Sequence, residues 1–216
     1  MRRMVRMLVG SAIVAGMMLG CAPRLMAPGD PLYTPKFEGS LQAEMTNAVM
    51  SDGARLPLRV WSAETPHAVI VAVHGMNDYS KASALPGPWF AGRGVTMLAY
   101  DQRGFGQAPG RGLWAGHVRM AEDLRSVVDL ARGKYPGLPV YLLGSSMGGA
   151  VVMRSFALAE PPKVDGVILA APAVWGWRSM NSFYETVLWM SAHLVPSMTL
   201  TGGGLKIQPS DNIEML

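Results

Sequence analysis

The sequence predicts an α/β fold, a mostly parallel sheet with helices on both faces, and three observations carry that prediction. Short apolar runs at Ala68–Val73, Val95–Tyr100 and Gly166–Ala170, with a fourth at residues 140–143, read as buried parallel strands. Helix-period segments separate them, the clearest at residues 117–132, where Met120, Ala121, Leu124, Val127, Val128 and Ala131 make one apolar face. Three of the runs lead into loops rich in Gly and polar residues, and open parallel sheets carry their sites at that end of the strands.

Taken in order, the chain opens with a segment of a different kind. Arg2, Arg3 and Arg6 form a basic stretch, residues 7–19 are apolar but too few to span a bilayer comfortably, and Met18-Leu19-Gly20-Cys21 follows. Residues 1–20 read as a bacterial-type export signal whose end resembles a lipobox, in which the cysteine is acylated and the chain is cut before it. An uncleaved anchor, or a signal with an incidental cysteine, is the alternative. Cys21 is the only cysteine in the chain, so lipid attachment also accounts for a thiol that could form no internal disulfide. The chain has 19 basic and 15 acidic residues, but residues 1–20 hold three of the basic ones and no acid. That leaves 16 against 15, so the net charge of +4 is no argument for nucleic-acid binding. Residues 21–40, Pro-rich at their start, read as a tether.

Residues 41–50 and Arg55–Trp61, joined by Ser51-Asp52-Gly53, read as an antiparallel hairpin at the sheet's edge. The strand Ala68–Val73 runs into His74-Gly75-Met76-Asn77-Asp78. Such a loop suits an oxyanion hole, because two fixed N–H groups aimed at a developing negative charge lower an acyl-transfer barrier by several kcal/mol. Met76 and Met147 are the expected donors, and His74 is expected to order its loop rather than react. The strand Val95–Tyr100 ends in Asp101-Gln102-Arg103-Gly104-Phe105-Gly106, where Asp101 and Arg103 are expected to pair and buttress the loop. On the helix at 117–132, Asp123, Arg125, Asp129 and Arg132 read as the solvated side.

The run at 140–143 enters Gly144-Ser145-Ser146-Met147-Gly148, and Ala150, Met153, Phe156 and Ala157 follow at helical spacing until Pro161-Pro162. Strand, Gly-x-Ser-x-Gly and helix in succession make a nucleophile elbow centred on Ser146. The turn is sharp, so Gly144, Gly148 and Gly149 are needed where backbones close on one another. A phosphate cradle would instead carry a Walker-type Lys or Gly-x-Gly-x-x-Gly, and neither is present. Beyond Gly166–Ala170, Trp175, Trp177, Phe183, Tyr184, Trp189 and Met190 gather large apolar side chains around a helix expected at 183–195, opened by a Ser182 to Glu185 capping box. That surface is a candidate acyl-chain wall, or simply packs onto the core. No repeat, metal-ligand cluster or nucleotide loop occurs, so no cofactor or metal is expected.

The three loops in this order and spacing resemble the α/β-hydrolase superfamily, most closely its monoacylglycerol lipase and lysophospholipase-like branch, which includes serine aminopeptidase (S33)-like members. The resemblance runs from about residue 41 to the end. It implies Ser146 as nucleophile, Met76 and Met147 as oxyanion donors, and His74, Gly75, Gly144 and Gly148 as supporting residues. It divides the chain into signal (1–20), lipid-anchored tether (21–40), the N-terminal part of the hydrolase core (41–172) and the start of a cap (173–216). Phe105 departs from it, standing where many relatives have His.

A larger departure concerns the acid and base, which in this family follow the nucleophile as Asp or Glu and then His. After Ser146 the only histidine is His193, in the cap-like helix; Asp165 precedes its strand, at the wrong end of the sheet; and Asp211, Asn212 and Glu214 fall in a cap-like terminal segment. The catalytic Asp and His, and the remaining strands, are therefore expected beyond residue 216. The implied function is a serine ester hydrolase acting on a small acyl ester or lipid, held to a bacterial membrane by its N-terminal lipid. Ala22 after the cysteine favours the outer membrane, facing the periplasm. The alternative is a catalytically inactive, lipid-anchored binding protein.

Overall fold

The computed structural model describes residues 25–27, 29–174 and 180–194. The export signal, Cys21, Trp175, Trp177 and residues 210–214 lie outside them. Two compact units are distinguished, the core Leu25–Gly176 and a second unit that contains the helix α4 (Ser182–Leu194).

The core is built on seven strands: β1 (Lys36–Glu38), β2 (Met45–Val49), β3 (Arg55–Trp61), β4 (Ala68–Val73), β5 (Val95–Tyr100), β6 (Val140–Ser145) and β7 (Gly166–Ala170). Their order is β1-β2-β3-β5-β4-β6-β7. The β1, β2, β3 and β5 neighbours pair antiparallel, whereas β5, β4, β6 and β7 are parallel. β4 is central and buried along its whole length, which is why its six residues are all apolar. Pairing of Val73 with Gly144 and of Ser145 with Ala170 brings the C-terminal ends of β4, β6 and β7 to one rim.

Helices α1 (Pro86–Ala91), α2 (His117–Lys134) and α3 (Met147–Ser155) cover the sheet. Alternation along β4 sorts its side chains between two cores. Val69, Val71 and Val73 join Leu124, Val128, Val151 and Val152 beneath α2 and α3. On the opposite face Ile70 and Ala72 join Met97 and Ala99, with Trp61 and Phe90 packed against them. The expected apolar face of α2 is buried as a unit.

Four expectations are corrected. Residues 25–38 are not a free tether: β1 pairs with β2, Met26 N donates to Trp114 O (3.0 Å) and Tyr33 N to Ser51 O (2.7 Å). The buried side of α3 is Met147, Gly148, Val151, Val152 and Ser155, while Met153 and Phe156 face outward. The turn at Ser146 fixes this, because Gly148 must lie on the end of β4 and positions three, four and seven further on then face the core. α4 starts at Ser182 with Asn181 as its cap, whose Oδ1 accepts the Tyr184 N–H (3.1 Å), in place of the Ser182–Glu185 box. Asp123 is not on a solvated side but buried.

Candidate active site

Ser146 sits between β6 and α3 with φ 49° and ψ −117°, a backbone conformation that costs a non-glycine residue on the order of 1–3 kcal/mol. The surrounding backbone holds it there. Ser146 N donates to Ala170 O (3.0 Å), and Ser146 O accepts from Ala173 N (2.9 Å) and Ala150 N (3.3 Å). The turn closes only because its neighbours are glycines. A Cβ on Gly144 would lie 2.7 Å from Gly149 Cα, and one on Gly148 would strike Val73 O and lie 2.6 Å from His74 O. The Ser146 side chain is exposed at the rim.

The loop after β4 closes on the same point. A Cβ on Gly75 would lie 3.3 Å from Ser146 Cβ and 3.8 Å from Ser146 Oγ, so the His-Gly backbone runs beside the hydroxyl. Among the described residues, neither the Met76 nor the Met147 amide donates to a protein acceptor. Met147 is the first residue of α3, where helix amides are unpaired and the helix dipole favours negative charge. Met76 side chain stands 60% exposed at the mouth of a cleft of about 640 Å³, also lined by Tyr79, Phe105, Arg111, Leu113 and Trp114.

His74 is buried and fully used. Gln102 N donates to its Nε2 (3.0 Å), so Nδ1 carries the proton and donates to Gly75 O (2.8 Å). Burial pulls its pKa below the ordinary histidine value, which keeps the ring neutral in this role. Gln102 Nε2 also donates to His74 O (2.8 Å), and Phe105 packs edge-on against the imidazole at 5.6 Å. His74 thus ties the β4 loop to the β5 loop.

Asp101 and Arg103 do not pair with each other. Asp101 accepts Ser80 N (2.8 Å) on one oxygen and Gln107 N (2.8 Å) on the other, clamping the loops on either side. Arg103 forks between two carboxylates, Asp52 in the β2–β3 turn (2.6 and 2.8 Å) and Asp123 on α2 (2.6 and 2.9 Å). The fork holds the Asp52 carboxyl below its ordinary pKa. Burial pushes Asp123 up to about 6 against the pull of Arg103. The two carboxylates raise Arg103 above the ordinary arginine value despite its burial. Gln102 lies in one of the three loops that carry the resemblance, but neither its bonds to His74 nor the Asp52–Arg103 contact had a signal in the sequence beyond the polar Asp-Gln-Arg run that follows the strand.

Within the core Asp165 lies away from Ser146, and His193 belongs to the second unit. Asp165 accepts Val140 N (2.8 Å) and Arg132 Nη2 (2.7 Å) before β7, at the opposite end of the sheet. His193 Nδ1 bonds to Trp189 O (2.8 Å) and its ring stacks on Trp189 at 4.3 Å. On α4, Phe183, Tyr184, Trp189 and Met190 are exposed. Among the described residues of the core, none of His67, His74 and His117 hydrogen-bonds Ser146. Among the described residues no cluster of metal-ligating side chains occurs, and no helix is long and apolar enough to cross a membrane.

Comparison with known proteins identifies the family and the fold. A family model described as serine aminopeptidase, S33, matches residues 64–216. A monoacylglycerol lipase of Mycolicibacterium smegmatis is 32% identical over 68% of this chain and 52% of its own length. The human monoglyceride lipase is 32% identical over 61% of this chain and 44% of its own. The phospholipase YtpA of Bacillus subtilis is 33% identical over 66% and 55%. The chain therefore spans about half the length of the curated relatives it matches. Among solved structures, the α/β hydrolase GrgF from Penicillium superposes with a TM-score of 0.51 at 26% identity, over 59% of this chain and 45% of that one. A soluble variant of monoglyceride lipase from Saccharomyces cerevisiae shares the fold with a TM-score of 0.57 at 21% identity, over 83% and 61%.

Proposed function

The chain belongs to the serine aminopeptidase S33 family of α/β-hydrolases, in its monoacylglycerol lipase-like branch, and on that premise we propose that it is a lipid-anchored serine hydrolase cleaving a monoacyl lipid ester. The observation that carries the reading is the position of Ser146, exposed and held at positive φ, with the Gly75 backbone against its hydroxyl. Ser146 Oγ attacks the ester carbonyl and gives its proton to a general base, in this family a histidine oriented by an acidic residue, both later in chain order than the nucleophile. The carbonyl oxygen becomes an oxyanion and accepts hydrogen bonds from the Met76 and Met147 amides. Collapse breaks the ester C–O bond, and the alcohol leaves with the proton from the histidine. Water, deprotonated by the same base, then attacks the acyl-Ser146 ester and releases the fatty acid.

Cys21 carries the lipid in this reading, on the side of a bacterial outer membrane that faces the periplasm, and the substrate is a lipid of that envelope. The lipases and the phospholipase among the relatives favour a glycerol or glycerophosphate leaving group. The test is hydrolysis of monoacylglycerol and lysophospholipid by the full natural chain and by its Ser146→Ala variant. Turnover that disappears with the hydroxyl supports the reading. A second reading, an inactive binding protein, draws on His74, the core histidine beside Gly75 in the loop at the site, being committed to Gln102 and Gly75 rather than to Ser146. It predicts that both forms bind monoacylglycerol equally and neither turns it over.

A further inference from the structure

The segment after Cys21 is docked rather than free, and where it docks has a consequence for the cleft. Leu25 bridges to Trp114 in parallel, Met26 N donates to Trp114 O (3.0 Å), and the Met26 side chain fills the space over Gly110. Arg119 Nη2 donates to Gly29 O (3.3 Å), and Gly29 lies close enough to Asp52 that a Cβ there would sit 2.7 Å from Asp52 Cβ. Tyr33 N bonds Ser51 O (2.7 Å) and its ring covers Gly53. Arg119 also pairs with Asp52 at 2.9 Å, so the strap is fastened to the same carboxylate that Arg103 holds.

We propose that residues 25–33 are a strap that holds the mouth of the Met76–Trp114 cleft against the bilayer in which the Cys21 acyl chains lie, with Leu25, Leu113 and Trp114 facing lipid. The inference rests on the lipid-anchor reading of Cys21 given above. Its physical basis is the length of chain left free. Undocked, residues 22–35 could reach roughly 50 Å from the membrane, whereas from Cys21 to the docked Leu25 the chain spans at most about 14 Å. The surface so placed suits a membrane interface. Leu25 is 64% exposed, and Leu113, Trp114, Met76 and Tyr79 stand exposed around the same opening. Arg111, exposed on its rim, supplies positive charge that anionic headgroups attract. Met76 belongs both to this rim and to the loop that touches Ser146, so a monoacyl lipid leaving the bilayer would enter the cleft without crossing bulk water.

The experiment uses the full natural chain, purified with its lipid and placed in vesicles of phosphatidylethanolamine and phosphatidylglycerol carrying nitroxide-labelled lipid. Within residues 1–216 Cys21 is the only cysteine, and its sulfur is occupied by the lipid. In a background where any cysteine elsewhere in the natural chain is replaced by Ser, a Cys introduced by Leu113→Cys is therefore labelled alone with an environment-sensitive fluorophore. Lys134→Cys, at the far end of α2 and about 25 Å from its start, is the reference. Strong nitroxide quenching at 113 and little at 134 is expected. An insert of about ten Gly/Ser residues between Arg24 and Leu25 should abolish that difference. The insert should also slow hydrolysis of vesicle monoacylglycerol several-fold, with hydrolysis of the water-soluble p-nitrophenyl acetate unchanged. An anchored protein with equal quenching at both positions, or an insert without effect, overturns the strap and leaves the anchored hydrolase standing. A purified protein whose mass lacks the lipid overturns both.

Discussion

At the residue scale, Ser146 is held in a strained backbone by neighbours that have no room for side chains. Replacing Gly148 by Ala puts a methyl group against Val73 O and His74 O. Backbone must move to admit it, so urea denaturation should find a loss of about 1–3 kcal/mol, accompanied by weaker reaction of Ser146 with serine-directed phosphonates. His74 supplies a pH signature. Its folded pKa lies below the ordinary histidine value, so between the two the unfolded chain binds a proton that the folded protein does not. Its contribution is therefore complete above about pH 6.5 and is lost as the pH falls below that value. Stability of His74→Asn should depend less on pH between 6.5 and 5 than that of the parent; parallel curves would count against a neutral, buried His74. The sharp turn at Ser146, with Gly144 and Gly148 packed into it, was legible in the sequence because short-range backbone sterics dictate it. The Gln102–His74 bond was not, because His74 lies 28 residues away in the loop after another strand.

At the scale of elements, the β5 loop is held by charges that meet only after folding. Arg103 is buried between Asp52 and Asp123, and removing it leaves Asp123 buried without the cation that forks onto it and Asp52 with Arg119 alone. Arg103→Met should cost about 3–5 kcal/mol, and Asp52→Asn with Asp123→Asn in the same background should recover a substantial part. Equal stability of the single and triple variants would mean the fork contributes by packing alone. The strands Ala68–Val73, Val95–Tyr100 and Gly166–Ala170 and the apolar face of α2 could be read in advance, because alternation and helical period report burial directly. The face of α3 could not: its two sides are both apolar, and the turn at Ser146 chooses between them. Asp123 shows the same limit, since a charged residue on a helix reads as solvated until its buried partner is known.

For the whole molecule, the sheet runs from the short β1 to β7, whose Val167, Ile168 and Leu169 remain about 40% exposed at the edge. Unpaired apolar edges drive association. Residues 21–216 expressed alone should therefore form aggregates at micromolar concentration, readable by light scattering, where a cooperatively melting monomer would contradict the expectation. The parallel fold, and with it the family, was visible because three loops fall at the same end of successive strands. Docking of residues 25–38 was hidden, since Pro-rich polar chain carries no period from which pairing can be read. The central claim is that Ser146 is the nucleophile of an ester hydrolase. Its most direct test is to treat the full natural chain with a fluorophosphonate and to fragment the tryptic peptide that lies between Lys134 and Arg154. A phosphonate on Ser146, blocked beforehand by a monoacylglycerol analogue and absent from Ser146→Ala, is the predicted result. An unmodified Ser146 in a preparation that hydrolyses monoacylglycerol would contradict it.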